Sequence, residues 1–561
     1  MNATDVKANH ARMVKDRSNF DTLWAEIATL VFPRQNVLFS GGMSSAAFRQ
    51  WITPEAVMHD PYAAQALEDG VSAFEGFVMP RGQRWQKLEI PDESLMRRVK
   101  VRQWLENVEI RLFRMRNDPM SGFVNAVHES AMSLFAFGAQ STYVKPRRSL
   151  QTGRFAGLSY QSEFIGDSYI EVDAESYPFR FHQQMTMTAE AALKEWGDDL
   201  RAAEQVFKAA TEKNGERKHE RFTFLHVIEP NLRMDPSRID AAGMPWQVGF
   251  YSVADEALFK TGGANSLPRT VSRFARMPGS AWGASPTMQA LPKIRQLQQM
   301  DLDMTFSAEL DLKPPLLAES DADDNLLLEL KPYGVTWGGM EDGRRMFEPV
   351  FTASDPTKAV QLMQDARAFI DRVFYRDLLQ INREYKSHVS AARVMEEVAE
   401  KGLLLAPLAR QEDEWLSRMT MRELALMEEA GLLDDMPGEV ADYFEAEGQL
   451  NIRYDNTLSH MQEAGKSVAY LNLAQQVGLI AQFDQSAAED FKREYPPSKV
   501  LPELGRIAGV PAAMQATDEE KAAFDRQKQE AAQTQQLLEA VPVIAGAAKD
   551  LSATQGQGML R

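Results

Sequence analysis

The chain has no cysteine. Disulfides, thiolate zinc sites, iron–sulfur clusters and cysteine nucleophiles are excluded together, and the absence fits synthesis in a reducing cytoplasm. Histidine is scarce too: 8 residues are scattered over 561, which makes a metal centre improbable. No apolar run reaches the roughly 18 residues that a membrane span needs. The opening Met1-Asn2-Ala3-Thr4-Asp5-Val6-Lys7 lacks the charged-then-apolar layout of a signal peptide. A cytosolic, soluble chain with no membrane partner is expected. Positive charge is also short, with 62 Lys and Arg against 80 Asp and Glu and a formal net charge of −18. A dedicated DNA gripper is usually basic, because its affinity comes from displacing counterions. Composition alone therefore argues against nucleic acid as a partner.

Catalytic motifs are missing as well. A phosphate-binding loop needs two glycines framing Lys-Ser/Thr. Gly465-Lys466-Ser467 has His460 where the first glycine belongs, and reads instead as a solvated helix start. Gly283-Ala284-Ser285-Pro286-Thr287 lacks the last glycine of a nucleophile elbow, so Ser285 reads as a helix cap. His128-Glu129 opens like a zincin motif, but no second histidine follows at the required spacing. The acidic runs 321–324 and 434–435 read as solvated loops. The expectation is a protein without enzymatic activity, cofactor or metal.

What is present is ordinary globular material, 44% hydrophobic and 25% charged, enough to bury a core in several domains. Phe20, Leu23, Trp24, Ile27, Leu30 and Val31 recur at helical spacing, and residues 35–62 read as an irregular connection. Further helices are expected over 61–79, 94–115 and 122–137, the last stopped by Gly138. From Ser141 to Phe181 the pattern alternates as in sheet. Residues 188–213 return to helix, and 222–229 and 246–253 read as strands able to pair. Ser285-Pro286 and Asp355-Pro356 each supply an N-cap followed by proline. They open two helices whose apolar sets include Leu291, Ile294, Leu297, Leu302, Phe306 and Leu310, and Val360, Met363, Ile370, Val373 and Phe374. Pro292 is expected to kink the first or to mark its true start. Short strands lie between the two. A long helix is expected from Ser390 to about Ala430, interrupted at Pro407 and ended by Gly431. Residues 437–512 read as further helices, and the tail beyond Thr517 as partly mobile.

Four segments together carry a resemblance. They are Pro80-Arg-Gly-Gln-Arg-Trp85-Gln-Lys-Leu88, Leu134-Phe-Ala-Phe-Gly138-Ala-Gln140, Arg276-Met-Pro-Gly279 through Pro292, and Lys313-Pro-Pro-Leu-Leu317. In this order the set resembles the portal (head-to-tail connector) proteins of T7-like short-tailed bacteriophages, or podophages. The resemblance implies a mixed α+β, mainly helical portal fold assembled as a ring, with wing, two-helix stem, strand-rich clip and helical crown. On this sequence the wing is like 1–284, the stem helices 285–312 and 355–381, and the clip 313–354. A tunnel loop matches 382–389, a wing-to-crown helix 390–436, the crown 437–516, and a C-terminal tail 517–561.

Two helices joined through a small insert cannot cover both their faces alone; stacking against the same pair of a neighbour buries them, and a closing rotation makes a ring. The family implies twelve copies around double-stranded DNA. An acidic wall then has a rationale, since it repels the phosphate backbone and lets DNA slide. In the family the turn after the second stem helix points into the channel, which makes Arg383, Tyr385, Lys386 and His388 candidate DNA contacts. Arg367, Arg372 and Arg376 on the preceding helix are candidates for the channel or for pairs between subunits. In the clip, Tyr333, Trp337, Arg344, Arg345 and Phe347 are candidates for partner contacts or for the adjacent subunit's clip. The implied partners are the terminase packaging motor, a tail adaptor, and the major capsid and scaffolding or internal core proteins. The implied location is one capsid vertex of the virion, after assembly in the host bacterial cytoplasm. Competing readings are another phage head or tail component, such as an adaptor or core protein, and a helical enzyme with an unrecognised site.

Overall fold

The computed structural model describes residues 1–32, 58–96, 98–149, 151–212, 215–312, 357–376, 405–433, 435–446, 448–483 and 486–497, with short pieces at 316–318, 340–341, 344–345, 347–349, 499–501, 504, 523–524 and 526–527. The chain forms two compact units, residues 1–390 with 400–459, and residues 391–399 with 460–561.

The larger unit opens with α1 (Ala3–Leu30), capped by the Asn2 side chain, which accepts from the Thr4 N–H. The helix starts well before the apolar stripe read from Phe20 onward. Its first half is docked largely by polar groups: Asn9 donates to Glu229, Arg12 to Glu171, and Arg17 to the Ser168 carbonyl at 2.6 Å. Then come α2 (Tyr62–Val78), β1 (Gln86–Glu89), a single turn at Glu93–Met96, α3 (Val99–Arg116) and α4 (Phe123–Phe137). The helix expected over 94–115 is thus broken in two, because Arg98 is extended at φ −78° and ψ 124°. The nearly all-buried α4 stops at Gly138, whose φ of 83° ends it as expected.

Two antiparallel sheets follow. β2 (Ala139–Arg148), β3 (Phe155–Glu163), β4 (Ser168–Val172) and β5 (Pro178–Thr188) lead to α5 (Ala189–Trp196) and α6 (Glu204–Thr211). The single helix expected over 188–213 is split by the tight turn Gly197–Ala202. β6 (Arg221–Pro230), β7 (Trp246–Ser252), β8 (Ala257–Ala264) and β9 (Arg269–Arg273) complete the orders β4-β5-β6-β7-β8 and β3-β2-β9. The expected pairing of β6 with β7 runs from Phe224↔Ser252 to Pro230↔Trp246. Alternation sends β6 side chains to both faces. Leu225 and Val227 meet Val6 of α1, whereas Phe222 and Phe224 lie under Trp196 and Val206 of the helical insert. His10 of α1 stacks on His182 at 5.6 Å, and burial lowers its pKa to about 4.

The small ribbon β10 (Ala275–Arg276) with β11 (Gly283–Ala284) leads into α7 (Pro286–Leu312). Pro292 sits inside α7, so the true start is Pro286 and not the later proline. Then come β12 (Leu316–Ala318), β13 (Met340–Glu341), β14 (Arg344–Arg345) and β15 (Phe347–Pro349), pairing β12 with β15 and β13 with β14, and α8 (Thr357–Val373). After 404 the chain returns to the first unit as α9 (Ala406–Gln411), a π-helical turn (Glu412–Ser417) and α10 (Arg418–Glu429). Pro407 lies in the first turn of α9 and a π turn separates α9 from α10, while the part of the expected long helix over 390–404 lies outside the described residues. Gly431 follows with φ 70°.

The expectation of helix alone after 437 is corrected as well. Following α11 (Gly438–Glu445), β16 (Asn451–Tyr454) pairs antiparallel with β1 from Gln86↔Tyr454 to Glu89↔Asn451. Val440 joins Leu88, Trp104, Leu105 and Met427 in one core. Buried ion pairs join segments far apart in sequence. Arg116 holds Glu423 (Nε–Oε1 3.0 Å), Arg269 holds Glu163, and Arg273 holds Glu414 at 2.7 Å. The smaller unit is described mainly through α12 (Thr457–Ile480), which starts in the first unit, and α13 (Ser486–Glu494). In it Tyr470, Phe491 and Tyr495 form a ring cluster. Gly465-Lys466-Ser467 lies within α12, not at a helix start.

Candidate functional site

The helices α7 and α8 form the most prominent paired element, and their sequence explains where they sit. Ser285 caps α7: its Oγ accepts from the Met288 N–H at 2.9 Å and donates to the Ala136 carbonyl at 2.9 Å. Thr287 donates to the Phe135 carbonyl at 2.9 Å. The start of α7 is thereby bolted to the end of α4. Leu291, Ile294 and Leu297 are buried beyond it.

One turn further, Gln298 clamps the chain entering α2. Its carbonyl oxygen accepts from the His59 and Asp60 N–H groups at 2.8 and 3.0 Å, and its amide donates to the Asp60 carbonyl at 2.5 Å. The Asp60 carboxylate accepts from the Tyr62 N–H at 2.7 Å and from Arg367 of α8 at 2.8 Å. The two helices run antiparallel: β12–β15 pairing closes the distal end, and Gln298 and Arg367 meet at Asp60 further back. Tyr62 donates its hydroxyl to Asp371 at 2.5 Å. Burial first, then the Asp371 carboxylate, pushes that hydroxyl up to about 12. Arg376 pairs with Asp69 at 2.9 Å, and both Arg367 and Arg376 lie over the Tyr62 ring. Gly70 permits the closest approach: a Cβ there would stand 2.9 Å from the Phe374 carbonyl oxygen.

Beyond this seat the apolar stripe loses its cover. On α7, Leu302 is 41% exposed, Phe306 60% and Leu312 82%; on α8, Val360 and Leu362 are exposed. The last twelve residues of α7 carry Asp301, Asp303, Glu309 and Asp311 and no Lys or Arg. The distal pair is thus apolar and acidic on a surface that no described residue of the larger unit covers.

Of the residues singled out in the sequence, Arg367 and Arg376 are engaged within the subunit, by Asp60 and by Asp69 and Asp371. Arg372 is exposed on α8. Arg344 and Arg345 form β14, opposite Glu341 and Met340, and Phe347 pairs in register with Ala318. Tyr333, Trp337, Arg383, Tyr385, Lys386 and His388 lie outside the described residues. Sequence reasoning missed Asp60, Asp69, Gln298 and Asp371. Asp60-Pro61 before a helical pattern was the available signal for the first; long-range partners leave none. His128, set aside as a zinc ligand, pairs with Glu75 at 2.7 Å.

Comparison with known proteins gives the family. The family model for bacteriophage head to tail connecting proteins matches residues 3–515. The chain is 23% identical over 552 residues to the portal protein of Salmonella phage epsilon15, covering 97% of this chain and 94% of that one. It is 26% identical over 460 residues to the probable portal protein of Bordetella phage BPP-1, covering 80% and 78%. With the match spanning nearly the whole sequence, this chain belongs to the bacteriophage head-to-tail connecting protein family.

Proposed function

We propose that the chain is the repeating unit of a ring-shaped DNA conduit at one vertex of the phage head, through which the genome enters and leaves. The observation that carries this is the distal half of α7 and α8, where Leu302, Phe306, Val360 and Leu362 stay exposed on an antiparallel pair. A run of exposed apolar side chains of this kind marks a surface that meets a partner. An identical pair in the next subunit is the simplest one, and a head-to-tail contact repeated by a closing rotation gives a ring; twelve copies is the family's implied number. The acidic end of α7 supports a wall that repels phosphate.

In this reading residues 1–284 form the wing, α7 and α8 the stem, and 313–354 the clip. Residues 390–436 link the wing to the crown of 437–516, with 405–459 belonging to the larger unit, and 517–561 are the C-terminal tail. Arg383, Tyr385, Lys386 and His388 form the tunnel loop facing DNA. The clip, with Tyr333, Trp337, Arg344, Arg345 and Phe347, serves the packaging motor, then a tail adaptor, or the neighbouring clip. Arg372 is free to pair across the subunit boundary.

Light scattering and negative-stain imaging of the purified chain test the proposal. Wild type is expected as annular particles of several hundred kilodaltons. Phe306→Asp, which places a charge on the exposed stripe, is expected to shift the population to monomer while leaving the far-UV spectrum unchanged. Rings that persist in Phe306→Asp, or a wild-type chain that stays monomeric at high concentration, would defeat it.

A further inference from the structure

Three arginines of the larger unit share one carboxylate. Arg273 ends β9, Arg276 lies in β10 and Arg418 opens α10. Glu414 of the π turn, 6% exposed, serves two of them through a single oxygen. Its Oε1 accepts from Arg273 Nε and Nη2 at 3.0 and 2.7 Å and from Arg276 Nε at 3.0 Å. Arg418 is half-buried and has neither an acceptor nor an ion-pair partner among the described residues. It lies over the Tyr177 ring at 5.1 Å, and Arg276 lies over the same ring at 5.3 Å. Burial is the largest influence on Arg418 and lowers its pKa; Glu414 opposes it, and Arg276 and Arg273 add to the lowering. Three guanidiniums against one carboxylate leave an excess of two positive charges.

Unpaired charge away from water is costly. Elsewhere the same unit avoids it: Arg116 has Glu423 and Arg269 has Glu163. Here no second described carboxylate comes in. Glu412 is turned to Asn456 at 2.6 Å, and Asp413 pairs with none of the three. The place is also reachable. Arg276 and Tyr177 are each 43% exposed. Among the described residues Arg276 gives Glu414 its Nε alone, which leaves two Nη groups for a ligand. The β4–β5 turn that carries Tyr177 is pinned: Arg273 donates to the Ser176 carbonyl at 2.7 Å, and Ser176 is held at φ 65°, an uncommon conformation for serine.

We infer that Arg276 and Arg418, over Tyr177, form a binding site for a dianionic phosphate group, either inorganic phosphate or a phosphate monoester. Charge selects the ligand. Such a group carries about −1.5 to −2 at neutral pH, close to the excess of two, whereas a carboxylate or a phosphodiester carries a single charge and leaves one cation unpaired. Guanidinium N–H groups also suit phosphate oxygens in geometry. A bound phosphate fastens the β4–β5 turn, β10 and α10 to one another. The inference concerns a single subunit and holds whether or not the chain forms rings.

The test uses the full-length chain at neutral pH. Inorganic phosphate is titrated by calorimetry, and melting is compared in phosphate and in chloride at equal ionic strength. Wild type is expected to bind phosphate saturably and to melt higher in it. Arg418→Gln is expected to weaken binding by about tenfold or more, the loss of one charged donor. In chloride it should melt at or above the wild-type temperature, because an uncompensated cation is gone. Arg418→Lys keeps the charge and should retain most of the affinity. Phenyl phosphate separates the two sources: affinity equal to that of phosphate supports a monoester, and exclusion supports the free ion. Absence of saturable binding to wild type would overturn the inference. So would equal rises in melting for wild type and Arg418→Gln, since phosphate strengthens folding generally by exclusion from protein surfaces. Acetate acting as well as phosphate would make the occupant a carboxylate of another polypeptide, and a DNA duplex without terminal phosphates acting as well would make it a phosphodiester; either overturns it. An Arg418→Gln chain that fails to fold would show that Arg418 already has its partner within the protein.

Discussion

Burial and pairing make single residues in the larger unit behave unlike their free counterparts. Glu109 lies in the core beside β1 and accepts from the Leu88 N–H at 2.8 Å. Burial is the largest influence on it and raises its pKa to about 7 from an ordinary 4.5, against the pull of that N–H and of Arg84. Between those two values the folded chain binds more protons than the unfolded chain, so this group's contribution to stability is lost as pH rises through the window. Glu109→Gln keeps an acceptor and cannot ionise. It is expected to leave stability unchanged near pH 4.5 and to raise it by about 1–3 kcal/mol at pH 8, measured as a shift in urea midpoint. An equal gain at both pH values, or a loss at both, would show that ionisation is not what burial opposes there. No pattern in the sequence distinguished Glu109 from Glu106, three residues earlier and 52% exposed. The difference is which side of α3 faces Leu88, and that depends on a strand whose partner arrives more than 360 residues later.

At the level of elements, caps and glycines were the legible part. Ser285-Pro286 was read as a helix start and is one, because a hydroxyl before proline is a local arrangement with local geometry. Gly138 was read as a helix stop for the same reason. The π turn at Glu412–Ser417 was not legible. There Tyr454 donates to the Glu412 carbonyl at 2.6 Å, and Glu414 takes Arg273 and Arg276, all supplied by distant parts of the chain. The contact between α2 and α8 gives a test within one helix. Gly70→Val drives a branched side chain into the Phe374 carbonyl and is expected to cost about 1–3 kcal/mol. Gly76→Ala, where nothing lies within 4 Å, is expected to gain up to about 1 kcal/mol from helix propensity. Thermal melts of the two variants should move in opposite directions; similar shifts would mean that the close approach is not maintained in solution.

For the whole molecule, a net charge of −18 suits the conduit proposed above. Each cation facing DNA adds a salt-dependent phosphate contact and so friction; an acidic wall with a few placed cations allows sliding with control. On this reading Arg383 and Lys386 matter out of proportion to their number. Arg383→Ala with Lys386→Ala is expected to leave rings intact but to lower the DNA retained per head several-fold, assayed as nuclease-protected DNA in purified particles. Unchanged filling and retention would remove the loop from the mechanism. Family membership itself was legible from four short segments in order, since these depend on sequence alone.

The sequence by itself determined the periodicity of most helices and strands, the starts and stops written in Ser-Pro and Gly, the acidic balance and the family. These are properties of neighbouring residues, and their physics is complete within a few positions. Only the tertiary structure decided that β16 comes back to β1, that Arg116 meets Glu423, and that Gln298 and Asp60 seat α7 and α8. It also decided that an apolar stripe continuous in sequence is buried at Leu297 and bare at Phe306. A side chain's burial depends on what the rest of the chain brings beside it, and for these residues that material lies scores to hundreds of positions away.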